Sequence, residues 1–151
     1  MANLFDYIEW RGDLTFEQAP FNNVDNLILS CLGYVVLDEL VSGFECCYTT
    51  TVAEAASLFV QLPESVKNLR NEKDEDVLVE MAKTKRFGNL ELLYHVDQTD
   101  RITQKQFAAI TVNLGNGSHY VVYRGTDHTV IGWKEDFNMT FCSAVPAQLE
   151  A

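Results

Sequence analysis

Gln106-Phe-Ala-Ala-Ile-Thr-Val-Asn-Leu114, Gly115-Asn-Gly117 and Ser118-His-Tyr-Val-Val-Tyr-Arg124 form the stretch that decides the fold of this chain. Two apolar runs rich in β-branched and aromatic residues flank a short Gly/Asn turn, which predicts an antiparallel hairpin. Just upstream, Leu90, Leu92, Tyr94 and Val96 alternate with Glu91, Leu93, His95 and Asp97. That period of two predicts a third, half-buried strand over residues 90 to 97, with the two sets on opposite faces. The expected strands therefore lie near 90 to 97, 106 to 114 and 118 to 124.

Before Gly88-Asn89, a natural helix stop, the period is helical. Asn22-Asn23 offers a side-chain oxygen to the first amides of a helix, and Val24, Leu27, Ile28, Cys31 and Leu32 follow at helical spacing, ending near Gly33. Thr51-Val-Ala-Glu54 has the form of a capping box, in which the threonine hydroxyl and the glutamate carboxylate satisfy each other's amides. Ala55, Ala56, Leu58, Phe59 and Leu62 fill that helix and Pro63 ends it. Between Glu64 and Arg86, Val77, Leu78, Met81 and Ala82 form one apolar stripe on a charged helix whose front, Glu72 to Asp76, suits the positive end of a helix dipole. Residues 1 to 21 read as an irregular arm with one short helix near Leu4 to Trp10. Val145 to Ala151 has the composition of a helix start, with Pro146 in its first turn.

Composition narrows the function. The 151 residues suit a single domain, and 47% hydrophobic residues argue for a packed core. A net charge of −11 repels phosphate backbones and anionic membrane surfaces, so nucleic acid is not expected as a partner. No stretch reaches the length of a membrane span and no basic leader precedes an apolar core, which points to a cytoplasmic protein. Cys31, Cys46, Cys47 and Cys142 contain no Cys-x-x-Cys pair, and His95, His119 and His128 lack zinc-ligand spacing. Neither a metal nor another cofactor is expected.

The chemistry points to the segment that follows the hairpin, Arg124-Gly125-Thr126-Asp127 leading into Trp133-Lys-Glu-Asp136. Glycine permits a sharp turn and close backbone approach, and the next residue offers an amide and a hydroxyl. Two such donors aimed at one point stabilise the oxyanion of acyl transfer, about 3 to 4 kcal/mol per donor. Thr126 is the leading candidate, with Gly125 and Asp127 beside it. Arg124 and Asp136, opposite charges in one loop system, are expected to pair and brace it, with Trp133 as a packing anchor. Arg11-Gly-Asp13 is read as a chance triplet.

Asn3 to Tyr7, Trp10 to Phe16, Pro20-Phe21, Asn23 to Leu27, Arg86-Phe-Gly88, Gln106 to Ala109 and the block from Tyr123 to Met139 together resemble the uncharacterised bacterial Mbeg-like family, placed in the α/β-hydrolase superfamily near class 3 lipases. The resemblance implies a Ser, Asp and His plan with Thr126 at the oxyanion hole. It also implies a Gly-His-Ser-x-Gly-Gly nucleophile elbow, which these residues do not contain. Ser30, Ser42, Ser57, Ser65, Ser118 and Ser143 all lack the strand-to-helix glycine context of a nucleophile. The expected architecture is the N-terminal portion of an α/β-hydrolase-like fold, helices on a short, mostly antiparallel sheet that looks α+β in isolation. The expected function is part of a serine esterase or lipase, inactive alone, whose full-length form cleaves a small acyl ester. The alternatives are a non-catalytic module that binds a partner or itself through exposed strand edges, and a functionless remnant.

Overall fold

A computed structural model describes residues 2–38, 40–41, 43, 48–67, 72–115, 117–126 and 129–151. Helices α1 (Leu4–Arg11), α2 (Asn23–Cys31), α3 (Val52–Val60) and α4 (Glu72–Ala82) precede the main strands β2 (Glu91–Asp100), β3 (Lys105–Gly115) and β4 (Ser118–Tyr123). A two-residue strand, β1 (Thr50–Thr51), leads into α3, and helices α5 (Val130–Asn138) and α6 (Pro146–Glu150) follow the sheet. The strands run β1-β2-β3-β4 in space, every neighbouring pair antiparallel. The fold is thus helices with a four-stranded antiparallel sheet.

The helix starts follow the side-chain chemistry of their caps. Asn3, Asn22 and Thr51 each close a capping box, with Asp6, Asp25 and Glu54 returning the hydrogen bond. Each such cap contributes about 1 kcal/mol. The Thr51 box also holds the Glu54 carboxyl below its usual range through the hydrogen bonds from Thr51. The segment before α2 is no loose arm, because Ile8 is buried and α1 packs on α2 and α4. The α4 stripe is buried as its spacing requires, at Val77, Leu78 and Met81.

Beneath these helices the sheet contributes Leu92, Ile110, Val112 and Val122 to one core with Ile28, Leu29, Phe59 and Phe87. The expected antiparallel hairpin forms, with Asn113 opposite His119 and Gly115 opposite Ser118. Gly115 and Gly117 have φ of 79° and 78°, a left-handed conformation that glycine adopts without penalty; Asn116 lies outside the described residues.

Strand β2 departs from the simple alternation. Its register shifts between Leu93 and Val96, and Tyr94 has φ of 52°. Two residues there oppose one on β3, which is a β-bulge, and a bulge reverses which side chains face the core. Leu92 is buried, but Tyr94 and Val96, expected on the same face as Leu92, point toward the outer face. His95 and Asp97, expected on the face opposite Leu92, turn to the same inner face as Leu92 instead. This correction relocates two ionisable residues.

A second feature also escaped the pattern. Arg86 and Asp25, both fully buried, form a two-pronged ion pair, Nη2 to Oδ2 at 2.6 Å and Nε to Oδ1 at 2.7 Å. The other guanidinium hydrogens reach the carbonyls of Leu14, Thr15, Ala19 and Pro20, and the plane lies over Phe16. Asp25 also accepts from the Asn22 amide and the Tyr7 hydroxyl. One buried charge pair thereby fastens the 12–21 loop, α1 and α2 to the segment before β2.

Candidate functional site

The hairpin delivers the chain to the loop predicted to carry chemistry. The ladder extends one residue past β4, where the Arg124 amide donates to the Ala108 carbonyl at 2.9 Å. Ala108 is opposite Asp97 on its other side. Arg124, Ala108 and Asp97 therefore lie side by side across three strands, and the small alanine leaves room for the outer two to meet over it. Arg124 Nη1 and Nη2 reach Asp97 Oδ2 and Oδ1 at 2.5 and 2.8 Å. The pairing of Arg124 with Asp136 expected from the sequence does not form; the bulge supplies Asp97 as the nearer partner. Arg124 Nε is buried without an acceptor among the described residues.

Asp136 has another task. Its Oδ1 accepts the Thr126 hydroxyl at 2.6 Å, so it braces the loop through Thr126. The amides of Gly125 and Thr126 donate to no acceptor among the described residues. Asp127, the third loop candidate, and His128 lie outside the described residues, as do Ser42, Cys46 and Cys47.

Helix α5 approaches the loop closely because Gly132 has no side chain. A Cβ there would stand 2.4 Å from Gln106 Oε1 and 2.8 Å from Thr126 Cγ2. The helix is capped by Thr129, whose hydroxyl accepts from the Gly132 amide, and is anchored by the buried Glu135. Glu135 Oε2 accepts from the Gln106 amide and Oε1 from the Ala147 amide, both at 2.8 Å, tying α5 to the start of β3 and to α6. Glu135, rather than Trp133, is the packing anchor. Trp133 is 60% exposed, so the anchoring role expected for it is not realised.

Beside Arg124 lies the histidine that the bulge turned inward. His95 Nδ1 is 3.9 Å from Asp38 Oδ1, and its side chain is only 9% exposed. Burial lowers its pKa from the usual imidazole value, and the Arg124 cation pushes the same way, against the opposing pull of Asp38 and Asp97. The neutral ring is therefore favoured. Asp38, His95, Asp97 and Arg124 form a polar cluster flanking the Thr126 loop, and only Arg124 among them was singled out from the sequence. Nothing in the local pattern signals the bulge. His119, on the outer face opposite Asn113, takes no part. Among the described residues no three His, Cys, Asp or Glu side chains converge as metal ligands.

This arrangement, a hairpin whose last strand feeds a glycine-threonine loop braced against a following helix, coincides with a recognisable unit. Residues 81–151 match the Mbeg1-like family model. No curated protein and no solved structure matches the chain. The Mbeg1-like region starts in the last turn of α4 and takes in Arg86, the β2–β4 sheet, the Thr126 loop, α5 and α6. The N-terminal segments that contribute to the resemblance, from Asn3 to Leu27, lie outside the matched residues.

Proposed function

We propose that the β4–α5 connection is the oxyanion-stabilising loop of a serine-hydrolase-type acyl transfer, acting on a small ester or thioester. In this reading residues 1–151 supply the N-terminal part of an α/β-hydrolase plan and are catalytically silent alone. The nucleophile, its acid and its base come from outside them. The observation that supports it is the Gly125-Thr126 segment. Two successive amides without acceptors among the described residues follow directly on a strand, and the Asp136 carboxylate fixes the adjacent hydroxyl. Such preorganised donors stabilise developing negative charge without reorganising during reaction. The neighbouring Arg124–Asp97 pair holds the start of this segment in place.

Fluorophosphonate labelling tests the reading. The 151-residue chain should remain unlabelled, while a native gene product of higher mass that contains it should label at one serine. Thr126→Ala in that product should lower kcat with little change in KM. Labelling of any serine within residues 1–151, or an unlabelled longer product, would sink the proposal.

A second reading, a non-catalytic module that associates with another chain, draws support from two surfaces. Among the described residues β4 pairs on one side only, and Val130, Trp133 and Phe137 are exposed in a row along α5, continued by Phe141. Open strand edges and contiguous apolar stripes both favour association. Light scattering on the purified chain distinguishes the two readings: a stable dimer favours the binding module, and a monomer at high concentration counts against self-association.

A further inference from the structure

Beside the β2–β3 turn lies a cavity of about 640 Å³ bounded by Thr99, Arg101 and Gln104 on one side and by Thr129, Val130, Ile131 and Lys134 of the α5 start on the other. Its volume falls in the range of small-molecule sites, about 300 to 1,000 Å³. Its charge sets it apart. The chain has 22 acidic and 11 basic side chains, yet among the described residues this lining holds two cations and no carboxylate.

Among the described residues, neither cation is committed to an ion pair. Lys67, Lys83, Arg86, Lys105 and Arg124 each pair with a carboxylate. Arg101 and Lys134 have no anionic partner among the described residues. The nearby Asp100 does not serve Arg101, because its oxygens are committed to the turn, accepting from the Ile102 amide at 2.7 Å and the Thr103 hydroxyl at 2.9 Å. Those hydrogen bonds also lower the Asp100 pKa. Gln104 uses its carbonyl oxygen to accept from Asn138, which leaves its amide N–H groups as donors at the cavity. The Gly132 amide in the first turn of α5 is already satisfied by the Thr129 hydroxyl. Val130 and Ile131 supply an apolar wall.

We propose that this cavity binds a small amphiphilic carboxylate, its head held between Arg101 and Lys134 and its short alkyl chain against Val130 and Ile131. The larger cavity between α1 and α4, about 770 Å³, offers no comparable selectivity, because Glu9, Asp13, Asp76 and Glu80 meet Lys83 and Lys85 there and Lys83 is already paired. The carboxylate site is independent of hydrolysis. It requires neither a nucleophile nor the Thr126 loop, and it stands or falls separately from the proposed acyl transfer.

Titration calorimetry of the full chain with octanoate, at concentrations below micelle formation, tests it, with 1-octanol and acetate as neutral-tail and head-only probes. One saturable octanoate site is expected, at least tenfold tighter than either control. Arg101→Gln/Lys134→Gln should weaken it at least tenfold, and since both side chains are exposed, the circular dichroism spectrum should not change. Anionic phospholipid vesicles should not bind, given the net charge of −11. Octanoate binding unchanged in the double variant, equal binding of 1-octanol, stronger binding to vesicles, or no saturable binding at all would each overturn the assignment.

Discussion

Arg86 and Trp133 mark two halves of the molecule built on opposite terms. Around Arg86 everything is closed: a fully buried guanidinium, a fully buried carboxylate, four backbone carbonyls and an aromatic face satisfy one another. Around Trp133 the surface is open, with exposed aromatic residues along α5 and polar donors of the adjacent loop without acceptors among the described residues. Motif-like residues thus serve two different purposes. Arg86-Phe-Gly88 and Asn23-Val-Asp, which carry part of the family resemblance, are scaffold, whereas the described part of the block from Tyr123 onward is largely exposed to solvent. Resemblance alone does not distinguish the two, but burial does.

The largest expected effect comes from opening the closed half. Arg86→Met leaves Asp25 as an uncompensated buried charge, and Asp25→Asn does the same to Arg86. Each should cost about 3 to 5 kcal/mol, measured by urea unfolding. Removing both charges should not restore full stability here, since the carbonyls of Leu14, Thr15, Ala19 and Pro20 would lose their donor as well. A loss below about 1 kcal/mol in either single variant would show that the lock contributes little.

Glycine replacements sharpen the contrast. A Cβ at Gly88 would meet the Ala82 and Thr84 carbonyl oxygens at 2.6 and 2.7 Å, both backbone atoms that cannot swing aside. Gly88→Ala should therefore destabilise by about 1 to 3 kcal/mol. At Gly125 the nearest atom is the Tyr34 hydroxyl at 3.2 Å, the end of a side chain that can move. Gly125→Ala should cost less than about 0.5 kcal/mol, as surface substitutions usually do. Equal losses at the two sites would contradict the division into closed and open halves.

These expectations also bear on what could be seen before the fold was known. Local chemistry was legible: the Asn22 and Thr51 caps, the α4 stripe and the Gly115/Gly117 turn each depend on neighbours within a few residues. The long-range pairings were not. Asp25 and Arg86 are 61 positions apart, and nothing in either segment names the other. The inward turn of His95 and Asp97 depends on one bulge at Tyr94, and a single inserted residue inverts every later side chain of the strand. For the same reason Asp136 was matched to Arg124 by proximity in sequence, although Asp97 reaches it across Ala108.

The bulge has a titratable consequence. His95 has a lowered pKa in the folded protein, so between that value and the unfolded value near 6.5 the unfolded chain binds more protons. The stability of the neutral, buried ring is thus fully present above about pH 6.5 and declines as pH falls through that window. His95→Gln should flatten this part of the stability-pH curve while leaving the steeper loss at carboxylate pH. An unchanged slope would mean that the ring is not held neutral by burial.

The smallest stability effect is expected where the molecule is most open. Trp133 and Phe137 are 60% and 64% exposed, so Trp133→Ser/Phe137→Ser removes little buried surface and should shift unfolding by no more than about 0.5 kcal/mol. If the stripe is only solvated surface, sedimentation will also be unchanged. If it is an association surface, the same two substitutions will lower the sedimentation coefficient to that of a monomer while the melting temperature of the isolated chain stays put. A large destabilisation would instead place these aromatics in the packed interior and end the comparison, because the α5 face would then belong with Arg86. The mutation separates surface kept for a partner from surface that merely faces water, since association costs nothing to the fold of a chain whose core lies elsewhere, between the helices and the inner face of the sheet.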